Sequence, residues 1–83
     1  MEDKEVLLFL YDVWNRNVYE VFFHTEYSFR DNLAVLNELL SYRGKPPVRD
    51  GCLIYEKNTM RHYDEHRILK DMHLVDGSQF VLL

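Results

Sequence analysis

Residues 61–67 read RHYDEHR, and they place His62 and His66 four apart with Asp64 and Glu65 between them. On a helix, two histidines at that spacing share a face and can ligate zinc. The flanking stretch from Met60 to Tyr63 reads as strand or turn, however. The single cysteine, Cys52, is too isolated to complete a site. The histidines are therefore read as solvated loop residues, and His24 and His73 as lone ones. Cys52 would need a base and an orienting group to act as a nucleophile. The sequence supplies neither, so it is read as a small apolar strand residue. There is no glycine-rich phosphate loop and no GxSxG. Asp64, Glu65 and Asp71 are read as surface and capping residues. No catalytic residue, metal ligand or cofactor is expected.

The elements that would position any site are legible from periodicity. KEVLLFLYD, from Lys4 to Asp12, is apolar on both alternating sets, as in a central strand. Asn15-Arg16-Asn17 suits a hairpin turn, since Asn tolerates positive φ. Val18 to His24 is a second strand, with Tyr19, Val21 and Phe23 on one face. The period then changes. Phe29, Leu33, Leu36 and Leu40 recur at helical spacing after Ser28, which with Asp31 forms a partial capping signal. Arg43-Gly44 suits the helix end, and Pro46-Pro47 forbids its continuation. CLIYE, residues 52–56, is a short strand. EKNTM turns through Asn58, and Met60 to Tyr63 pairs briefly. ILKDMHLVDGS holds a short turn of helix and the Asp76-Gly77 turn. QFVLL is the final strand.

The chain has 83 residues, enough for one small domain over 1–83. One cysteine excludes an intramolecular disulfide and suggests a reducing compartment or indifference to redox. The net charge is −4, and the ten basic residues are scattered, so no nucleic-acid surface is expected. No apolar run approaches a membrane span, and the acidic start MEDKEVLLFLYD is not a signal peptide. A cytoplasmic protein without membrane insertion is expected. The fold class is α+β. A mixed sheet of four or five strands packs on one main helix, with the last strand parallel to the first at the sheet's centre.

The second half resembles that of ubiquitin. The shared pattern is a Gly-x-Pro-Pro helix exit (Gly44, Pro46, Pro47), a Leu-Ile-aromatic strand (Leu53, Ile54, Tyr55) and Arg-x-Leu-x-Asp (Arg67, Leu69, Asp71). An aliphatic before a turn and a final alternating strand complete it. With the strand–strand–helix start, the likeness covers nearly the whole chain as a ubiquitin-like β-grasp. It is closer still to the small bacterial YukD/EsaB-type ubiquitin-like proteins of type VII secretion systems. Those share Pro46, Pro47 and Gly51, the Leu69-x-Asp71 segment and the Asp76-Gly77 turn. The resemblance implies a non-enzymatic adaptor that docks on a larger protein, with a secretion-system membrane component as a candidate. Ubiquitin itself continues into a tail ending in Gly-Gly. Here Leu82-Leu83 stands instead, so conjugation is not expected. A modifier or sulfur carrier whose tail lies outside this sequence is the alternative, as is a self-associating module.

Two surfaces are candidates for docking. On the helix, Val35, Leu39 and Tyr42 form a second stripe. It is either the border of a broad buried side or a surface for a partner or a second copy, giving a homodimer. On the sheet, if Leu53 and Tyr55 face the helix, Ile54 faces away with Val81 and Leu83. In ubiquitin the matching face is the main recognition patch. Lys57, Arg61 and His62 would rim this one and Trp14 would extend it. On that reading Ile54→Asp leaves the fold intact and abolishes partner capture.

Overall fold

The structure is a computed structural model, and it describes residues 4–83. Five strands and one main helix follow in the order β1 (Glu5–Asp12), β2 (Asn17–His24), α1 (Phe29–Tyr42), β3 (Ile54–Glu56), β4 (His62–Tyr63) and β5 (Ser78–Leu82). A short 3-10 turn, Leu69–Met72, precedes β5. The strands form one sheet in the order β2-β1-β5-β3-β4. β1 and β5 run parallel, and every other pairing is antiparallel. The last strand is thus the central one, as the sequence reading has it. This is the ubiquitin-like β-grasp.

Local chemistry sets the boundaries. β1 and β2 form a full eight-residue ladder, Glu5 opposite His24 through Asp12 opposite Asn17. Their turn is closed by the buried Asp12 carboxylate, which accepts from the Asn15 backbone and side chain at 3.3 and 2.7 Å. The positive φ of this turn falls on Arg16, at 55°, rather than on either asparagine. Ser28 caps α1 by accepting from the Asp31 amide at 3.0 Å. At the other end Gly44, at φ 70°, takes the left-handed position that stops the helix. The Asp76-Gly77 turn is tied to β1 from both sides. The Asp76 carboxylate accepts from the Leu7 amide at 2.9 Å, and the Gly77 amide donates to the Leu7 carbonyl at 2.8 Å.

The core lies between α1 and one face of the sheet. Val6, Leu8 and Leu10 of β1, Phe23 of β2, Ile54 of β3, and Phe80 and Leu82 of β5 all point into it. Phe29, Leu33 and Leu40 of α1 cover them, with Leu36 half-buried beside. Phe29 is the hub: its ring meets Phe23 at 5.3 Å and Phe80 at 5.5 Å, both edge-on. Fully burying one such side chain contributes about 1.5–3 kcal/mol. Two asparagines fasten the helix to its surroundings. The Asn37 side chain both donates to and accepts from the Val48 backbone, at 3.2 and 2.8 Å. Asn32 does the same with His24, at 3.0 and 2.8 Å, and also donates to the Ser28 carbonyl.

Candidate functional site: the open face of the sheet

Strand alternation leaves a second face, away from α1. The register defines its central row: Val18, Tyr11, Val81, Tyr55 and His62 stand side by side across all five strands. Leu53 and Leu83 lie at the row's edge, joined by two backbone hydrogen bonds of 2.9 Å. Val18 and Leu53 are exposed, Leu83 is exposed at its margin, and Tyr11, Tyr55 and Val81 are half-buried. The face is therefore aromatic and aliphatic at its centre.

Charge sits at its rim. The Lys57 ammonium lies 4.2 Å over the Tyr11 ring, a cation–π contact. The Tyr11 hydroxyl donates to the Gln79 side chain at 3.1 Å. His62 packs on Tyr55 at 5.3 Å between centroids. Arg61, expected at this rim, lies instead 5.7 Å over Tyr63, which stands opposite Ile54 and packs on Phe80 on the covered side of the sheet. At the end nearest the β1–β2 turn, the Arg49 guanidinium stacks 4.6 Å over Trp14 and donates to the Leu83 carbonyl at 3.2 Å. Trp14 is 63% exposed, so the rest of its indole is free to contact a partner.

The sequence reading of this face needs a second and larger correction. Ile54 is not on it: the side chain is 1% exposed and belongs to the core. The cause is the register. Ile54 stands opposite Leu82, and residues directly opposite in an antiparallel pair share a face. Leu82 points at the helix, so Ile54 does too. Leu53 and Tyr55 take the outward positions. Val81 and Leu83 face outward as expected, with Trp14 at the hairpin end of the same surface. Tyr11, Leu53 and Tyr55 were missed because β1 and β3 are apolar on both alternating sets, which leaves the phase open. Glu56 lies in phase with Ile54 and gave no help, because it ends the strand in a turn. There its carboxylate accepts from the Thr59 amide and hydroxyl at 2.7 and 2.8 Å. Those bonds hold its pKa below the ordinary carboxylate value.

The helix stripe is also outside the core. Val35 and Leu39 are more than half exposed, and Tyr42 is almost wholly so. The buried side of α1 is thus narrow, and Val35 and Leu39 border a separate groove against β2.

The other candidates for chemistry stay apart. Among the described residues no group of three His, Cys, Asp or Glu side chains comes together. The His66 ring lies 3.5 Å from the carboxylate of its neighbour Glu65, and its backbone amide donates to Asp64 at 2.9 Å. Cys52 is buried, and burial first, with Glu65 and Asp12 adding negative charge, pushes its thiol up. A thiol held in the protonated form is a poor nucleophile. Every buried side-chain nitrogen and oxygen among the described residues has a hydrogen-bond partner. No helix among them is long and apolar enough to cross a membrane.

No protein-family model and no curated protein matches the chain. Solved structures do. The ubiquitin of Caldiarchaeum subterraneum superposes with a TM-score of 0.61 at 19% identity, over 94% of this chain and 90% of its own. The ubiquitin-like domain of the Mycobacterium tuberculosis type VII secretion system protein EccD1 gives 0.59 at 18%, over 95% and 97%. A chain of the MycP5-free ESX-5 inner membrane complex gives 0.63 at 12%. That match covers 98% of this chain and only 21% of the larger one. The fold of this chain is therefore that of the ubiquitin-like domains, those of type VII secretion proteins among them.

Proposed function

We propose that the protein is a non-catalytic ubiquitin-like adaptor that docks on a larger protein through the open face of its sheet. The proposed setting is a bacterial type VII secretion system of the YukD/EsaB kind, with the protein acting in the cytosol. A membrane component of that machine is the proposed partner. One observation carries the reading: the row of Tyr11, Val81 and Tyr55, flanked by Leu53 and Leu83, is apolar and half-exposed, with no helix over it. Contiguous apolar surface rimmed by cations is the composition of protein interfaces, where aromatic residues supply the anchors. The likeness to EccD-type domains supports the choice of machine.

The test is co-purification with the machine's membrane components from cells that carry it. Tyr55→Asp places a charge at the centre of the face without touching the core. The expected result is loss of those components from the purified material while the variant keeps its far-UV circular dichroism. Undiminished recovery with folded Tyr55→Asp would rule the face out.

A further inference from the structure

The ten basic residues are scattered along the sequence, but folding gathers four of them at one end of the molecule. The β1–β2 turn carries Arg16, and the segment after α1 carries Arg43, Lys45 and Arg49. These two segments are fastened to each other. The Asn15 side chain donates to the Pro47 carbonyl at 3.0 Å, and the Arg49 guanidinium lies 4.6 Å over Trp14. Arg43 and Lys45 border the same groove as Val18, which follows the turn at the start of β2.

All four basic side chains are exposed, and none makes an ion pair among the described residues. Two acids lie in the same segments. Asp12 is buried and bonded to Asn15, so only Asp50 is exposed. Residues 12–18 and 42–50 thus carry four basic and two acidic side chains, a net charge of +2 in a chain of −4, which leaves −6 on the rest. One end is positive on an otherwise acidic molecule.

Among these cations stand two apolar side chains that take no part in the core. Val13 is 50% exposed and Trp14 63%, at a turn, where small polar residues are usual. They are held firmly. The Val13 amide donates to the Leu82 carbonyl at 3.2 Å, and the Asp12–Asn15 bonds close the turn behind them. Asn37 pins Val48 on the neighbouring segment. The result is a fixed tip that presents an indole and an aliphatic side chain inside a ring of positive charge.

That composition selects the partner. Tryptophan at the boundary between a polar and an apolar phase, with Lys and Arg around it, suits the surface of an anionic bilayer. A nucleic-acid strand would satisfy the cations, but Arg49 already occupies one face of the indole and Val13 would gain nothing. A bilayer satisfies all of them. Its phosphates and carboxylates meet the cations, and the boundary between headgroups and acyl chains receives Trp14 and Val13 together.

We propose that the hairpin end, through Val13 and Trp14 with Arg16, Arg43, Lys45 and Arg49, is a peripheral docking site for an anionic lipid bilayer. Only the tip of the turn enters the headgroup layer. The contact needs no protein partner, so it goes beyond docking through the sheet and is tested without it.

Trp14 is the only tryptophan of the chain and reports its own surroundings. The purified full chain is titrated with vesicles of phosphatidylcholine containing roughly one third phosphatidylserine, and with vesicles of phosphatidylcholine alone. The anionic vesicles are expected to shift the tryptophan emission to the blue and to sediment the protein at least about tenfold more strongly than the neutral ones. Each basic side chain near such a surface strengthens binding by roughly fivefold. A protein carrying Arg16→Gln, Arg43→Gln and Lys45→Gln together is therefore expected to lose the preference for anionic vesicles while keeping its far-UV circular dichroism. Added salt is expected to weaken binding in the same direction. Trp14→Ala, followed by sedimentation, is expected to weaken it at least about threefold. Tyr55→Asp is expected to bind vesicles within about twofold of wild type, which separates this site from the central face of the sheet. Absence of partitioning, or equal partitioning onto anionic and neutral vesicles, would overturn the proposal. So would a Trp14 response to polyuridylate with none to vesicles, by making nucleic acid the occupant.

Discussion

Ile54 and Tyr55 are neighbours in β3, yet they belong to different parts of the molecule. Ile54 is sealed against Leu82, Phe80 and the helix, on the covered face of the sheet. Tyr55 stands beside Val81 and His62 on the open face. Both faces are apolar, and what separates them is the helix. Where α1 lies over the sheet, Phe29, Leu33 and Leu40 convert apolar side chains into core. Where nothing lies over it, the same kinds of residue remain as uncovered surface. Composition therefore does not distinguish core from open surface in this sheet; the side on which a residue points does.

Substitutions can break this comparison directly. The largest effect is expected from Ile54→Asp, which removes a buried side chain and leaves an unpaired charge in the core. Its cost exceeds about 4 kcal/mol, enough to unfold a domain of this size, and thermal denaturation followed by circular dichroism checks it. Asn32→Ala comes next. It leaves the His24 N–H without its partner and takes one of two donors from each of the His24 and Ser28 carbonyls, at about 2 kcal/mol, and urea titration reads the shift in midpoint. Tyr55→Asp is expected to cost about 1 kcal/mol or less, within the range of strand propensity, while removing binding. A Tyr55→Asp protein as unstable as Ile54→Asp would mean that the open face is structural after all.

The smallest effect concerns the turn after β3. Glu56 has a lowered pKa because it accepts from Thr59. A carboxyl whose folded pKa is depressed stabilises above its unfolded value and loses that contribution as pH falls through the folded one. Glu56→Gln is therefore expected to be slightly less stable than wild type at neutral pH. The difference should vanish in acid, and melting curves recorded across that range will show whether it does.

Much of the architecture is readable from the residues. The helix announces itself through Phe29, Leu33, Leu36 and Leu40, with Ser28 as its cap. Pro46-Pro47 and Asp76-Gly77 mark the crossings back to the sheet. The phase of β3 is not readable, because Leu53, Ile54 and Tyr55 are all apolar and only the partner strand decides which points inward. Tyr11 is hidden for the same reason in β1, whose two sets are both apolar. Asn32 and Asn37 look like ordinary polar helix residues. Their role depends on backbone groups of His24 and Val48 that only folding brings near. The open edge of β2 is likewise invisible locally, since any strand can be central or marginal until the sheet order is known.

Site-specific photocrosslinking in living cells tests the central claim most directly, with a benzophenone amino acid placed at Tyr55 on the open face and, in a parallel strain, at Tyr42 on the helix. The account predicts that the Tyr55 probe crosslinks to a membrane component of the secretion machine and the Tyr42 probe does not. Crosslinks to that component from Tyr42 alone would contradict it.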